Sequence, residues 1–266
     1  MNARQPSHAP DPGQAHLEGL STAFTHRHGA DPAVVRRTLV SLRRTVHDED
    51  DLTDLLDRAA AAAVAWLPDA HSAGITVSLG AATFTAASTD SRVVALDEAQ
   101  YALHHGPCMH AMTVRATVAM SLAEVTSSWP DLAGRAAAEG VRSFLAAPLL
   151  VGPKVLGSLN LYSTRAQGFP ADEVAFVTVV AALAAAHLRT FGEHRDLPEQ
   201  ARLLRAGVAH RAVIRRARGM IMAVDDVGAD QAFATLRARS VRAGIPVVAA
   251  AELMVATASV GLPDVA

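Results

Sequence analysis

A single cysteine (Cys108), a single lysine (Lys154) and an aromatic content of 4% are the scarcities of this 266-residue chain. One cysteine excludes an intramolecular disulfide, which fits a reducing compartment. No apolar run is read as approaching the roughly 18 residues that a bilayer-spanning helix requires. The opening stretch MNARQPSHAPDPGQAH lacks the apolar centre of a signal peptide, and its polar, Pro-containing texture predicts disorder. A cytoplasmic protein with no membrane association is the expectation. GxSxG, Walker, HExxH and dinucleotide fingerprints are all missing, and no paired-carboxylate site stands out, so catalysis is not expected.

What the chain does have is apolar mass and a concentrated positive charge. Half of its residues are apolar, enough at this length for a sizeable core and more than one folding unit. The formal net charge is only −2, yet ARLLRAGVAHRAVIRRAR, residues 201–218, holds six arginines and no acidic residue. A local basic stripe in a near-neutral chain is the footprint of a polyanion partner. Arg211, Arg215 and Arg218 lie at i, i+4 and i+7 and so share one helix face, with Arg216 in the same run. The planar guanidinium donates two parallel hydrogen bonds to a phosphate. Arg237, Ser240 and Arg242 extend the surface, the hydroxyl being suited to a sugar or phosphate oxygen. RNA stem-loops, read through backbone, shape and exposed loop bases, suit such a face. An ordinary solvated helix face is the bland alternative.

Periodicity divides the chain into a disordered lead over 1–30, an α+β domain with N-terminal helices over 31–195, and a helical block over 196–260. Val35, Leu39, Leu42 and Val46, then Leu52, Leu55, Leu56, Ala59 and Ala63, predict helices between residues 32 and 66, with a break at the acidic HDEDD run. Residues 74–80 alternate like a half-buried strand, with 82–87 as its hairpin partner. Helix is expected around 96–103, strands at 116–120, 141–150 and 155–162, and a long alanine-rich helix at 171–188. Strands followed by helices in this mixture predict a mainly antiparallel sheet flanked by helices. Behind it, Leu203, Gly207, His210, Ile214, Ala217 and Ile221 form one seam. A second helix, 229–243, places Ala232, Phe233 and Leu236 inward, and Pro246 opens a third. Gly219 is expected to permit a close helix approach.

His104, His105, Cys108 and His110 are the one run of soft and imidazole ligands. No second Cys/His cluster sits at a structural-zinc spacing, so no metal is assigned.

The segments Ser88-Thr89-Asp90, Leu96-Asp97-x-x-Gln100-Tyr101, Gly106-Pro107-Cys108, Ser127-Ser128-Trp129-Pro130, Gly140-Val141-Arg142-Ser143, Leu156 to Tyr162 and Phe169 resemble the GAF domains of actinobacterial regulators. Arg211-Ala212-x-Ile214-x-x-Ala217-Arg218-Gly219-x-Ile221-Met222, followed by Ala232-Phe233-x-x-Leu236-Arg237-x-x-Ser240, resembles the ANTAR domain, a three-helix RNA-binding antiterminator module. The resemblance implies a sensory GAF domain, expected to dimerise, feeding an ANTAR domain that binds stem-loops in nascent transcripts and controls antitermination or translation. It leaves the input open among a small molecule, a gas through haem, a redox cue and a protein partner, and the cofactor unknown. Tyr101 and Cys108, in matching segments, are the candidate sensor residues. One GAF lineage reduces methionine sulfoxide through several cysteines, a cycle that a lone Cys108 cannot close. Family members usually carry a polar, basic stretch where this chain enters its third helix with Gly244-Ile245-Pro246-Val247-Val248. A DNA-binding regulator, and an interaction module that has lost RNA affinity, are the competing readings.

Overall fold

The computed structural model describes residues 45–260 together with Arg37 and residues 40–42. The expected lead over 1–30, and most of the helix read ahead of residue 45, lie outside the described residues.

Helix α1, Glu49–Trp66, opens where Asp48 accepts a hydrogen bond from the Asp51 amide at 2.8 Å, with acidic residues in the first turn. A carboxylate there satisfies an orphan N–H and complements the helix dipole. Strands β1 (Ser72–Leu79) and β2 (Ala82–Ser88) form a hairpin around Gly80. Helices α2 (Ser91–Leu103), α3 (Pro107–Val114), α4 (Leu122–Ser128) and α5 (Pro130–Ala138) follow, with the short strand β3 (Val118–Ser121) between α3 and α4. A second hairpin, β4 (Ser143–Val151) and β5 (Lys154–Ser163), precedes α6 (Ala171–Gly192).

The strands form one antiparallel sheet in the order β2-β1-β5-β4-β3. One face carries α1, α6 and the first half of the next helix over Leu52, Leu56, Ile75, Leu159, Val180 and Leu188. The other carries α2, α4 and α5 over Val93, Leu96, Val125, Leu132, Phe144 and Tyr162. Covered on both faces, β4 is almost wholly buried and reads SFLAAPLLV without alternation. Pro148 is tolerated in it because β3 pairs only with Ser143 to Ala146, so no ladder partner waits for the missing N–H. At Gly157 an added Cβ would stand 1.9 Å from the Thr76 carbonyl oxygen, so β5 can lie against β1 there only with glycine.

Two expectations need correction. The segment Glu173–Gly192 within α6 is long and apolar enough, at 20 residues and mean hydropathy 1.8, to cross a membrane by length and composition. Its apolar side is instead spent on the sheet, through Val177, Val180, Ala181, Ala184 and Leu188. Helices α3, α4 and α5 were not expected, because runs of seven to nine residues hold too few turns for a period to show. Their starts were written locally all the same. Pro107 and Pro130 stand in first turns, and Ser121 with Glu124 makes a reciprocal capping box.

After a bend at residues 193–196 the chain enters α7, Leu197–Asp225, 29 residues long. Gln200 spans the bend, donating to the Gly192 and Arg195 carbonyls at 3.4 and 2.9 Å. The α6–α7 junction is therefore tied and not a free linker. Helices α8 (Ala229–Ala243) and α9 (Val247–Val260) complete the chain, joined where Gly244 takes a left-handed φ of 65° and its amide reaches Val241.

Gly157→Ala is expected to lower stability by about 2 kcal/mol or more, read from the urea midpoint, because strained backbone and a carbonyl clash coincide there.

Candidate nucleic-acid interface and sensor core

Helix α7 belongs to two cores. Its first half buries Ala201 and Leu204 with α1 and the sheet. Its second half buries Ala217 and Ile221 against Ala232 and Leu236 of α8 and Ala251 of α9. Gly207 lies where the first half meets α1: a Cβ there would come within 2.9 Å of the Glu49 carbonyl oxygen and 3.0 Å of Thr53 Cγ2. Close approach is thus required at Gly207 and not at Gly219, around which nothing lies within 4 Å of an added Cβ.

The arginine stripe read from the sequence divides at this contact. Arg211 and Arg215 both donate to the same oxygen of Asp57 on α1, Arg215 at 2.6 Å. Arg211 is mostly covered, its side chain 17% exposed. The residue before Arg211, His210, places its Nδ1 3.2 Å from Asp50. The expectation that all three stripe arginines face solvent without acidic partners is therefore corrected for Arg211 and Arg215, because α1 brings a carboxylate to them. The signal for this was present as Asp50, Asp54 and Asp57 at helical spacing, but nothing local says which helix they will face.

Burial works against both partners. It pushes the Asp57 carboxyl up against the two guanidinium groups beside it, and it pulls Arg211 down against Asp57. Among the described residues, Asp57 Oδ1 and Arg211 Nη1 are buried there without hydrogen-bond partners. Such groups are uncommon in folded proteins and costly where they occur.

Arg216, Arg218, Arg237 and Arg242 have no ion-pair partner among the described residues. Arg218 continues the Arg211–Arg215 stripe beyond Asp57 and is half-buried, whereas Arg216, Arg237 and Arg242 are exposed. Ser240 does not join them. It is buried, and its hydroxyl donates to the Ile245 carbonyl at 2.6 Å, closing the α8–α9 turn. Phe233, expected in the core, is 40% exposed on the outer face of α8, with Arg237 and Val241 on the same face. Residues 202–255 contain nine arginines against four acidic residues, so the module is strongly basic within a near-neutral chain.

The sensor candidates sit in a buried polar network under α2 and α3. Asp97 Oδ1 accepts from Tyr162 Oη at 2.5 Å and from Asn160 Nδ2 at 2.9 Å. Asn160 also donates to Thr76 at 2.9 Å, and Thr76 contacts Tyr101 Oη at 2.7 Å and Cys108 Sγ at 3.4 Å. The Gln100 side chain accepts from the Cys108 amide at 2.8 Å, fixing the start of α3. Between Cys108, Asn160 and Tyr162 there is no room for a water molecule. Burial pushes the Cys108 thiol up to about 12 and the Asp97 carboxyl up to about 7. The thiolate, the reactive form, is thereby suppressed. Tyr101 is raised as well, chiefly by burial, and its ring borders a cleft of about 340 Å³ with Phe84, Glu98, Arg205 and Val208. The histidines diverge from Cys108: the rings of His105 and His110 lie 6.2 and 5.9 Å from that of Trp129. Among the described residues no three His, Cys, Asp or Glu side chains converge as a metal site would require.

A helix-flanked antiparallel sheet, continued by one helix into an arginine-rich three-helix module, defines a two-part regulatory protein. The GAF-domain family model matches residues 49–189 and the ANTAR-domain model residues 202–255. The chain belongs to the GAF family and carries an ANTAR domain behind it, the arrangement of a signal-responsive regulator. No curated protein matches the chain. Among solved structures it is similar to the GAF domain of a Coxiella burnetii phosphoenolpyruvate-protein phosphotransferase (15% identity, TM-score 0.48, covering 65% of this chain and 95% of that one). It is also similar to the GAF domain of the Acinetobacter phosphotransferase (19%, 0.44, 59% and 93%). A type II free methionine-R-sulfoxide reductase from Thermoplasma acidophilum is a third (15%, 0.43, 55% and 97%). At these identities and scores the likenesses carry nothing about ligand or activity.

Two outcomes are expected of the network. Cys108 will resist a thiol-specific chromogenic reagent in the native protein at pH 8 and react fully once urea unfolds the chain. Asp97, raised in the folded state, favours folding most when protonated. Its contribution is complete below about pH 4 and is lost as pH rises toward 7, on the order of 4 kcal/mol in all. Asp97→Asn keeps the oxygen that accepts from Tyr162 and Asn160, so the fall in unfolding free energy between pH 5 and pH 8 will be smaller in that variant.

Proposed function

We propose that this protein binds RNA stem-loops through its ANTAR domain and, on a signal received by the GAF domain, controls antitermination or translation in the cytoplasm. The observation that carries the reading is the set Arg216, Arg218, Arg237 and Arg242, cations without ion-pair partners among the described residues, on a module with nine arginines and four acidic residues. Unpaired guanidinium groups release counterions when they meet phosphates, so affinity depends steeply on salt. Thiol chemistry is no part of this reading, since Cys108 is buried and its surroundings hold it protonated. Dimerisation is supported by the outward stripe Ala175, Val179, Ala182 and Ala186 on α6, whose small side chains permit close helix pairing. The basic stretch usual at the third helix is missing from α9, so RNA contact rests on α7 and α8.

A protein-interaction reading is favoured by Phe233 and Val241, the latter 75% exposed, on the outer face of α8. Retention of a fluorescein-labelled hairpin RNA, titrated against salt, separates the two. Replacing Arg216, Arg218, Arg237 or Arg242 with alanine will weaken binding in each case and lower the slope of log affinity against log salt by about one. Unchanged affinity in all four variants refutes the RNA assignment. Competition by duplex DNA at equal strength would favour a DNA-binding regulator.

A further inference from the structure

The contact between α1 and the basic stripe of α7 is built unlike an ordinary surface ion pair. One Asp57 oxygen receives both Arg211 and Arg215, while the other oxygen is buried with no hydrogen-bond partner. Arg211 likewise keeps Nη1 buried and unpartnered. Two guanidinium forks converging on one small anion leave donors over, whereas a phosphate with several oxygens would use them. Burial also outweighs attraction for both partners, as the directions of their proton affinities show. The stripe does not end at Asp57: Arg218 stands one turn beyond Arg215 on the same face and has no ion-pair partner among the described residues. A helix that reads as one row of cations is therefore half neutralised from within and half open.

We propose that Arg211 and Arg215 form a further phosphate-binding site of the RNA surface, occupied by Asp57 as an internal stand-in for phosphate and opened when α7 moves off α1. The inference rests on the RNA reading and adds its regulation. Asp57 lies in the GAF domain and the arginines in the ANTAR domain, so the carboxylate and the transcript compete for the same two cations. Any input that loosens α1 from α7 adds about two phosphate contacts to those already available from Arg216, Arg218, Arg237 and Arg242. The competition is local, because Gly207 and Thr53 hold the helices together only one turn away.

Asp57→Asn in the full chain tests it, with wild type, Arg211→Ala/Arg215→Ala and the triple variant alongside, all checked for folding by circular dichroism and urea midpoint. The probes are a fluorescein-labelled hairpin RNA with a randomised eight-base loop and, as a polyanion that is not a nucleic acid, heparin. Asp57→Asn is expected to tighten RNA about tenfold at moderate salt and to steepen the salt slope by one to two. Removing the two arginines will cost the Asp57→Asn protein at least ten times in affinity and the wild type less than threefold. If the gain survives in the triple variant, the added net charge acts through the field alone and the masked site is refuted. A folded Asp57→Asn protein with unchanged slope for both probes refutes it equally. If no protein of the set retains RNA but heparin shows the steeper slope in Asp57→Asn, the masked anion site stands and the RNA reading fails. Should Asp57→Asn not fold, Asp57→Glu replaces it: the longer carboxylate keeps the mask, and a wild-type slope is expected, whereas a steepened slope overturns the proposal.

Discussion

Helix α7 is shared between two hydrophobic cores, and the architecture turns on that sharing. At about 1.5 Å per residue its 29 residues span about 43 Å, long enough for one end to pack on the GAF sheet while the other builds the ANTAR module. Ala201, Leu204 and Gly207 are committed to the first core, Ala217 and Ile221 to the second. Residues 208–216 lie between them: Val208 packs against the first core, Val213 and Ile214 pack against the second, and His210, Arg211 and Arg215 are within reach of α1's carboxylates. A helix transmits displacement because its backbone hydrogen bonds join each turn to the next. The bend before it is also tied by Gln200, so movement of α6 is felt at the start of α7.

The charge distribution follows from the same geometry. Acidic residues on α1 face the middle of α7, so part of the basic stripe is neutralised locally. Beyond the reach of α1, Arg216, Arg237 and Arg242 are exposed and Arg218 is half-buried, none with an ion-pair partner among the described residues. In the Arg211–Asp57 pair both side chains are mostly covered, whereas Arg58–Asp54 and Arg92–Asp90 each keep at least one side chain open to solvent, and open pairs contribute little and are screened by salt. In a partly dry contact the cost of desolvation is large, and an imperfectly matched pair is held by the packing around it more than by its own attraction.

The face of the sheet opposite α1 carries a different kind of polar centre. Asp97 Oδ1, Asn160, Tyr162, Gln100 and Thr76 are joined by hydrogen bonds, Asp97 Oδ2 stays buried without a partner among the described residues, and no space for water is left beside Cys108. Networks of this kind specify a single packing, because each member has few alternatives in a low-dielectric interior. A cleft lies instead at the sheet edge, where Tyr101 and Phe84 meet Arg205 of α7.

The order of strands and helices, both hairpins, the long helix α6 and the three C-terminal helices were legible because each rests on local periodicity, caps and turn residues such as Gly244. The short helices α3 to α5 were not, since a run of two turns has no period to read. Among the site residues, Arg216, Arg237 and Arg242 are where helical spacing put them, on exposed faces of α7 and α8. Arg211 and Arg215 lost their freedom to Asp57, more than 150 positions away in the chain. Ser240 turned inward to a carbonyl, and Phe233 turned outward because Ala232 and Leu236 already fill that side of the α8 core. The sequence by itself determined which residues are cations and which helices carry them, through propensity and spacing within a few turns. Which of those cations stay free was decided only by the tertiary structure, because neutralisation depends on the carboxylate that folding brings alongside.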